Sequence, residues 1–481
     1  MKIGKNQYII VPNGFEYDFE YKHTVALGSY LALLGDRCDY TYAEHNDYKC
    51  LLLGYAIDAE KPERDIDEML AAMSGSLKAD ATNIADITLY WGGRWSVFLL
   101  RGNSLIAFND ACGLKQLFYS SNIFGSQSRY VAQAVRAKVE PQADNYIREA
   151  MRIDKEYSWP LSKTRFTNVY RLLPNHVYCE GRVKRISTTD RFISLNYTER
   201  IQAVSRLLRN AMIAANKYKR MAVTLTAGWD SRLVLAACED VRKSIDVVTL
   251  KYTHISDSHI DVQIPKELCT NYGYNHVLLT CKPVDTEFAE EYKQHSENAH
   301  DYWIQMTQSV QDYGYQDLLW TKGSCNEISR NSSGVLYDWQ ITSNVLSKLY
   351  GIVANAYSKT ILDNWLVEAK TYAKTSGYSL LDLFYWEQRL GSWLAECLNE
   401  ADVVGETFTP FNIRAYFEII KDVPVKNRVS PKYSFFEDVL NACGMDLDIP
   451  VNPNRYSSFR SKTKCLIKNK LHLLYGLILN A

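Results

Sequence analysis

The spacing of apolar residues divides the chain near residue 196. Before that point, short apolar runs between turn residues predict strands at 96–100, 104–108 and 175–178. Arg101-Gly102-Asn103 predicts a hairpin turn between the first two strands. We therefore expect residues 1–195 to form an antiparallel α+β domain.

After residue 196, helical and strand patterns alternate. One helical stripe runs through Ile201, Val204, Leu208, Met212 and Ala215. Buried-strand patterns follow at 221–226, 245–250 and 277–279, with helical patterns at 232–237 and 261–272. This alternation predicts a parallel sheet built from βαβ units. Beyond about residue 286 the pattern is mainly helical, so we expect residues 196–481 to form an α/β domain with a helical C-terminal part.

Composition narrows the class of protein. The chain has 481 residues, of which 47% are hydrophobic and 23% charged, as in globular proteins. Its 55 basic and 55 acidic residues balance, so no global positive field favours a nucleic acid partner. We expect no signal peptide and no transmembrane segment, because no run of about 18 apolar residues occurs. The 11 cysteines form no CxxC motif, which argues against a zinc motif or a disulfide framework and favours a cytoplasmic location.

A glycine turn between a predicted strand and a predicted helix is the most informative segment, with the sequence Thr226-Ala227-Gly228-Trp229-Asp230-Ser231-Arg232. Backbone N–H groups at such a helix N-terminus favour an anion, and Gly228 lets the backbone approach a phosphate. The hydroxyls of Thr226 and Ser231 can donate to phosphate oxygens. A bare phosphate would repel Asp230, so this carboxylate indicates a bridging Mg²⁺.

The same segment has a simpler interpretation, which is an ordinary strand–turn–helix connection with Asp230 capping the helix. The loop is not of the Walker type, because no Gly-Lys-Ser/Thr follows the turn.

The segment resembles the pyrophosphate loop of the asparagine synthetase superfamily, which usually reads Ser-Gly-Gly-x-Asp-Ser. Residues 249–277 are similar to the family's adenine-side strand and the helix after it, although Pro265 stands where alanine is usual. An arginine directly after the loop, here Arg232, is similar to the sequence of one branch of the superfamily, which is found in bacterial glycan and natural-product gene contexts. The resemblance implies that ATP is bound by Thr226, Ala227, Gly228, Asp230, Ser231, Arg232 and Thr249.

A second acidic segment, residues 322–330, resembles the family's glycine-rich turn that ends in Asp-Glu, with Asn326 in the aspartate position. The resemblance implies that Glu327 holds Mg²⁺ together with Asp230. It also implies that Arg330 neutralises charge developing on pyrophosphate, so both Glu327 and Arg330 are candidate catalytic residues. The alternative is a Glu327–Arg330 ion pair at i,i+3 on a starting helix.

The last part of the chain is basic. No acidic residue follows Asp448, whereas six basic ones do, at Arg455, Arg460, Lys462, Lys464, Lys468 and Lys470. A lysine of this region stabilises the adenylate in the family, and by rough position Lys462 is the candidate catalytic residue. The alternative is a basic amphipathic segment that packs on the domain or on a membrane surface through Ile467, Leu471, Leu474 and Ile478.

Residues 93–119 and 165–175 resemble the glutaminase-type (Ntn-type) sandwich domain of asparagine synthetases. In glutamine-using members the nucleophile is a cysteine exposed as the first residue by removal of methionine. Here Lys2 follows Met1, and the first cysteine is Cys38. We therefore expect an inactive domain, as in the β-lactam synthetases and lasso-peptide cyclases, and we interpret Asp110 and Gly113 as a turn between strands.

The resemblance as a whole implies an ATP-pyrophosphatase (adenine nucleotide alpha hydrolase-like) synthetase, which adenylates a carboxylate, releases pyrophosphate and transfers the acyl group to an amine. Expected cofactors are ATP and Mg²⁺. Expected partners are a small-molecule or peptide carboxylate, an amine or ammonia donor, a partner glutaminase or carrier protein, and a second copy in a homodimer. The alternatives are a non-catalytic nucleotide-binding or assembly protein, favoured by Ala227 and Asn326, and a tRNA-modifying ATP pyrophosphatase.

Overall fold

The protein combines two antiparallel sheets with one parallel sheet and many helices, which confirms the predicted mixed α/β and α+β class. The computed structural model describes residues 1–78, 80–154, 156–186, 188–330, 334–430, 433–452, 463–464, 466–468 and 471–480. In that part of the chain, no helix has both the length and the apolar character needed to cross a membrane.

The N-terminal half contains two six-stranded sheets, with strand orders β10-β8-β9-β1-β3-β2 and β12-β11-β7-β6-β5-β4. Their strands are β1 (Tyr8–Pro12), β2 (His23–Leu27), β3 (Tyr30–Leu34), β4 (Tyr40–His45), β5 (Tyr48–Asp58), β6 (Trp91–Arg101), β7 (Ser104–Asn109), β8 (Phe118–Ser120), β9 (Ile123–Gly125), β10 (Tyr170–Arg171), β11 (His176–Cys179) and β12 (Arg182–Arg185). The predicted hairpin is confirmed, because β6 and β7 pair antiparallel and Gly102 at their turn has φ +58°.

These two sheets pack face to face and carry helices on their outer faces. These helices are α1 (Ile66–Ser76), α2 (Ile84–Ile87) and α3 (Ser128–Val135), whereas α4 (Pro141–Ile153) packs against the helix Ala356–Ser376 of the C-terminal half. Phe98 and Tyr8, one from each sheet, share the buried core between them. Met73 of α1 packs with Trp95 on one outer face, and Val131 of α3 packs with Ile9 on the other. The half is therefore a four-layer sandwich.

The C-terminal half is built on a five-stranded parallel sheet of order β15-β14-β13-β16-β17. Its strands are β13 (Met221–Thr224), β14 (Asp246–Lys251), β15 (His276–Thr280), β16 (Leu319–Thr321) and β17 (Thr407–Phe408). Its helices are α5 (Tyr197–Tyr218), α6 (Trp229–Ala237), α7 (Ile260–Tyr272), α8 (Thr286–His295), α9 (Ile304–Asp312), α10 (Ser343–Tyr350), α11 (Ala356–Ser376), α12 (Leu380–Phe384), α13 (Ala395–Ala401), α14 (Arg414–Ile420), α15 (Val425–Arg428), α16 (Ser434–Ala442) and α17 (His472–Asn480). A π-helical segment, Tyr385–Leu394, joins α12 to α13.

The strand order reverses between β13 and β16. The chain moves from β13 outward to β14 and β15, and then returns to place β16 and β17 on the other side. In open parallel sheets a ligand binds beyond the carboxyl ends of the strands at such a switch point. The prediction of a mainly helical region beyond 286 missed β17, because two residues are too few for a pattern.

Buried polar contacts join the two halves. Arg94 of β6 donates two hydrogen bonds to Asp402, of 2.6 and 2.9 Å, and both side chains are buried. The Asn412 amide donates to Asp110 Oδ1 at 2.9 Å and to the carbonyl of Gly93 at 2.7 Å. The Asp110 carboxylate thus accepts hydrogen bonds from backbone N–H groups of the predicted turn and one from Asn412 of the C-terminal half.

Candidate functional site

The loop at 226–232 lies at the switch point of the parallel sheet. It leaves the end of β13 and enters α6 at its N-terminus, where Gly228 is the N-cap residue. The alternative interpretation, in which Asp230 caps this helix, is wrong, because Asp230 lies inside the first turn and no side chain donates or accepts a capping hydrogen bond. The first-turn N–H groups of a helix have no intrahelical acceptors, so this end of α6 suits an anion.

Side chains hold the loop in shape. The Thr226 amide donates to Ser231 Oγ at 3.1 Å, and the two hydroxyl oxygens lie 3.0 Å apart. The Ala227 amide donates to Asp261 Oδ1 of α7 at 2.8 Å. The hydroxyls therefore close the turn on itself, and a hydroxyl that accepts from a loop partner keeps its own O–H group for a phosphate oxygen. Asp261 is a supporting residue of the loop.

The Asp230 carboxylate joins the two segments that the sequence singled out. Asn326 donates its amide to Asp230 Oδ1 at 2.7 Å, and Arg330 donates to Oδ2 at 2.7 Å. Both come from the turn after β16. Arg330 therefore does more than the alternative of a local i,i+3 pair with Glu327 predicts: its hydrogen bond crosses to Asp230, and it also interacts electrostatically with Glu327.

Gly323 allows this approach. A Cβ atom at Gly323 would lie 2.7 Å from the backbone carbon of Asp230 and 2.8 Å from the amide nitrogen of Ser231. Both neighbours are backbone atoms that cannot rotate away. The turn after β16 therefore packs against the first turn of α6, and a side chain at this position would push the two apart.

Glu327 is the second carboxylate of the site. Burial and, after it, the nearby Asp230 carboxylate raise the pKa of Glu327 to about 7, while Arg330 opposes the shift. Two neighbouring carboxylates, one of which raises the pKa of the other, form a donor set suited to a divalent cation. Asp230 and Glu327 are thus the residues that fit Mg²⁺.

The raised pKa of Glu327 predicts that the metal-free protein loses stability as pH rises from about 4.5 to about 7. In this range the unfolded chain has released the proton that the folded protein still holds, so stability falls by up to about 1.4 kcal/mol per pH unit. Urea unfolding at a series of pH values measures this slope. Glu327→Gln should remove that contribution, whereas Glu267→Gln, at an exposed position of α7, should keep it. Equal slopes in the two variants would contradict the assignment.

Two residues predicted to bind the nucleotide lie elsewhere. Arg232 is fully buried and donates to the carbonyls of Ile449 and Pro450, and burial lowers its pKa to about 10. Arg232 lies on the inner face of α6, where its hydrogen bonds fix the segment that follows α16. The prediction that Arg232 binds a phosphate is therefore corrected. The Thr249 hydroxyl is also buried and donates to the Leu225 carbonyl at 3.1 Å, so it fastens β14 to the base of the loop.

Lys462 lies outside the described residues. The described segment that ends at Asn452 reaches the site, because the backbone N–H of Asn452 donates to the backbone carbonyl of Ala227 at 3.2 Å.

Sequence reasoning missed Tyr416 of α14. Its hydroxyl contacts Asn326 Oδ1 and lies 3.2 Å from Ser329 Oγ, and burial raises its pKa. Asn326 can therefore present its amide nitrogen to Asp230 only while its oxygen faces Tyr416. No local pattern marks this contact, because 90 residues separate the two partners.

A buried cluster of His300, Cys397 and Glu400 has the residue types of a metal site. His300 Nε2 faces the Tyr157 carbonyl at 2.6 Å, and Nδ1 lies 2.7 Å from Glu400 Oε1. Both ring nitrogens thus face oxygen atoms, an arrangement that fits an imidazolium beside the Glu400 carboxylate. Burial opposes this charge, but Cys397 and Glu400 raise the pKa of His300 to about 12. The cluster is an ion pair between a cationic ring and a carboxylate, since an imidazolium has no lone pair for a metal.

No family model and no curated protein matches this chain. Among solved structures, it is similar to an NH3-dependent NAD synthetase from Campylobacter jejuni in complex with nitrate, with 13% identity and a TM-score of 0.22 over 41% of this chain and 94% of that one. A glutamine phosphoribosylpyrophosphate amidotransferase from B. subtilis complexed with ADP and GMP has 9% identity and a TM-score of 0.23 over 69% of this chain and 71% of that one. These values identify neither a family nor an activity, so function has to follow from the site itself.

Proposed function

We propose that the protein is an ATP-dependent synthetase that adenylates a carboxylate and passes the acyl group to an amine. One observation carries the proposal. Asp230, at the N-terminus of α6, meets Asn326 and Arg330 from the turn after β16, with the Glu327 carboxylate beside them. This places anion-binding N–H groups, two carboxylates and a guanidinium at the switch point of a parallel sheet.

The proposed reaction begins with ATP bound by its phosphates at the 226–232 loop. The substrate carboxylate attacks the α-phosphorus, the bond to the bridging oxygen breaks, and pyrophosphate leaves. The N–H groups of α6 and the hydroxyls of Thr226 and Ser231 hold that leaving group. Arg330 stabilises the negative charge that grows on it, which lowers the barrier because the charge is largest in the transition state. Mg²⁺, held by Asp230 and Glu327, would neutralise phosphate charge when bound.

The second step is amide formation. The amine nitrogen attacks the activated acyl carbon, AMP leaves, and the amine loses a proton. The acceptor is ammonia or an amine of a small molecule or peptide, and natural-product or surface-glycan biosynthesis is the proposed setting. Lys462 is proposed to stabilise the adenylate.

We assign residues 196–481 to this ATP-pyrophosphatase domain and residues 1–195 to a glutaminase-like (Ntn-type) domain without glutaminase activity. The four-layer sandwich of the N-terminal half supports the second assignment. Its cysteines Cys38, Cys50, Cys112 and Cys179 are all buried, and burial raises the pKa of each thiol. A buried thiol of raised pKa is a poor nucleophile. The role proposed for this half is to hold the C-terminal half through contacts such as Arg94–Asp402.

Isotope exchange from labelled pyrophosphate into ATP tests the first step. It requires only the acid, so amino acids, uronic acids and peptides can be screened without knowing the amine. We expect exchange with at least one acid, and AMP rather than ADP as the product once an amine is supplied. Formation of ADP and phosphate with a productive acid would contradict the mechanism.

A non-catalytic nucleotide-binding protein is the second candidate, and Asn326 favours it. An aspartate at position 326 would need a cation to offset its repulsion of Asp230. Asn326 instead donates a hydrogen bond to Asp230 and needs no cation. Isothermal titration with Mg·ATP separates the two candidates: the second predicts binding without exchange for every acid. Asn326→Asp should then strengthen Mg²⁺ binding, because a third carboxylate would join the site.

A further inference from the structure

The helix α17 carries apolar side chains on two faces, and one of them packs against other described residues. Gly476 is buried against Gln340: a Cβ on Gly476 would lie 2.0 Å from Gln340 Nε2, which also donates to the Leu473 carbonyl at 3.3 Å. Tyr475 and Leu479 are half-buried on the same side. The helix therefore docks through these residues on the 3₁₀ segment Asp338–Gln340 and on α10.

The opposite face of α17 is exposed. Leu473, Leu474, Leu477 and Ile478 lie at spacings of one, three and four residues, which places them on one helical stripe. Leu477 is 65% exposed and Ile478 is 52% exposed. Trp339, in the segment that α17 contacts, is 70% exposed. We call Trp339 and these four residues the tail patch. Exposed apolar surface of this kind marks a binding site for another apolar partner.

The charge around the tail patch indicates what that partner is. The chain after Asp448 has six basic and no acidic residues, although the whole chain is balanced, so the preceding part has six acidic residues in excess. Lys464 is exposed, and Lys468 runs along Gly334, which precedes the segment under α17. An apolar helix face beside a basic segment matches the boundary between acyl chains and anionic headgroups.

We infer that α17 and Trp339, with Lys464 and Lys468 beside them, bind the surface of an anionic lipid bilayer. The leucine and isoleucine side chains and Trp339 enter the acyl boundary, and Lys464 and Lys468 face the headgroups. No described helix is long and apolar enough to span a bilayer, so the inference places α17 along the surface. This inference is independent of the proposed function, since it uses no residue of the ATP site.

Cosedimentation of the full chain with vesicles tests the inference. We expect binding to vesicles of phosphatidylcholine with about 30 mol% phosphatidylglycerol, little binding to phosphatidylcholine alone, and weaker binding in about 0.5 M salt. The double variant Leu477→Ser/Ile478→Ser should bind at least about tenfold more weakly. Ile193→Ser, which changes an apolar residue that is 73% exposed in the N-terminal half, should bind like the wild type.

A second measurement locates the contact. Brominated lipids should quench part of the tryptophan fluorescence, and Trp339→Phe should remove that quenched part. Absence of binding, unchanged binding of the double variant, or unchanged quenching in Trp339→Phe would each overturn the inference. So would light scattering that finds a dimer which the double variant converts to a monomer, because a second copy would then cover the patch.

Discussion

Asp230→Asn should reduce ATP–pyrophosphate exchange by at least about 10²-fold with any acid that supports the reaction. The substitution keeps the shape of the side chain but removes the charge that faces Arg330 and, in the proposed site, Mg²⁺. It also leaves the Asn326 amide facing another amide. Initial exchange rates at saturating ATP, together with Mg·ATP affinity from titration, measure the effect.

Asp240→Asn is the matched control, because Asp240 is an exposed carboxylate whose ion pair with Arg209 lies on the surface of the same half. It should keep wild-type exchange. Circular dichroism should show that both variants are folded. Wild-type exchange in folded Asp230→Asn would contradict the proposed site, whereas loss in both variants would show that the assay reports the fold.

Arg94→Met should destabilise the protein by about 3–5 kcal/mol, because it leaves the Asp402 carboxylate buried without its partner. Asp402 accepts two hydrogen bonds from Arg94, and both side chains are almost inaccessible to water. Arg94 also donates to Thr407 Oγ1 at 2.9 Å, which anchors β17. The free energy of unfolding from urea titration is the measurement.

The control for this prediction is Arg101→Met, which breaks the ion pair of Arg101 with Asp47 on the surface, where the side chains are 50% and 76% exposed. An exposed pair contributes about 0–1 kcal/mol, so this variant should be nearly as stable as the wild type. A loss below about 1 kcal/mol in Arg94→Met would show that the two halves do not depend on the buried pair.

Local order in the chain was sufficient to predict the elements that surround the site. The strand β13, the glycine turn and the helix α6 follow one another within 17 residues, so periodicity and the conformational freedom of glycine decide them. The same holds for α5 and for the hairpin at Gly102. Boundaries were less accurate: α6 begins at Trp229 rather than at 232, because the polar residues Asp230 and Ser231 interrupt the apolar pattern in its first turn.

Contacts between distant residues came only from the tertiary structure. Asp230 and Arg330 are 100 residues apart, and nothing in either segment specifies the other as a partner. Parallel pairing of β13 with β16 brings them together, and Gly323 allows the close approach. The sequence indicated both segments through composition and resemblance, but the hydrogen bonds of Asp230 depend on strand order.

Side-chain direction was the other property beyond the reach of the sequence. Arg232 and Asp230 are neighbours on the same turn, yet Arg232 points into the core and Asp230 into the site. A basic residue beside a phosphate loop suggests a ligand, but on a helix a shift of two positions turns the side chain by about 200°. The residue types of the site could therefore be chosen from the sequence, whereas the face that each presents was decided by the packing of α6 against its neighbours.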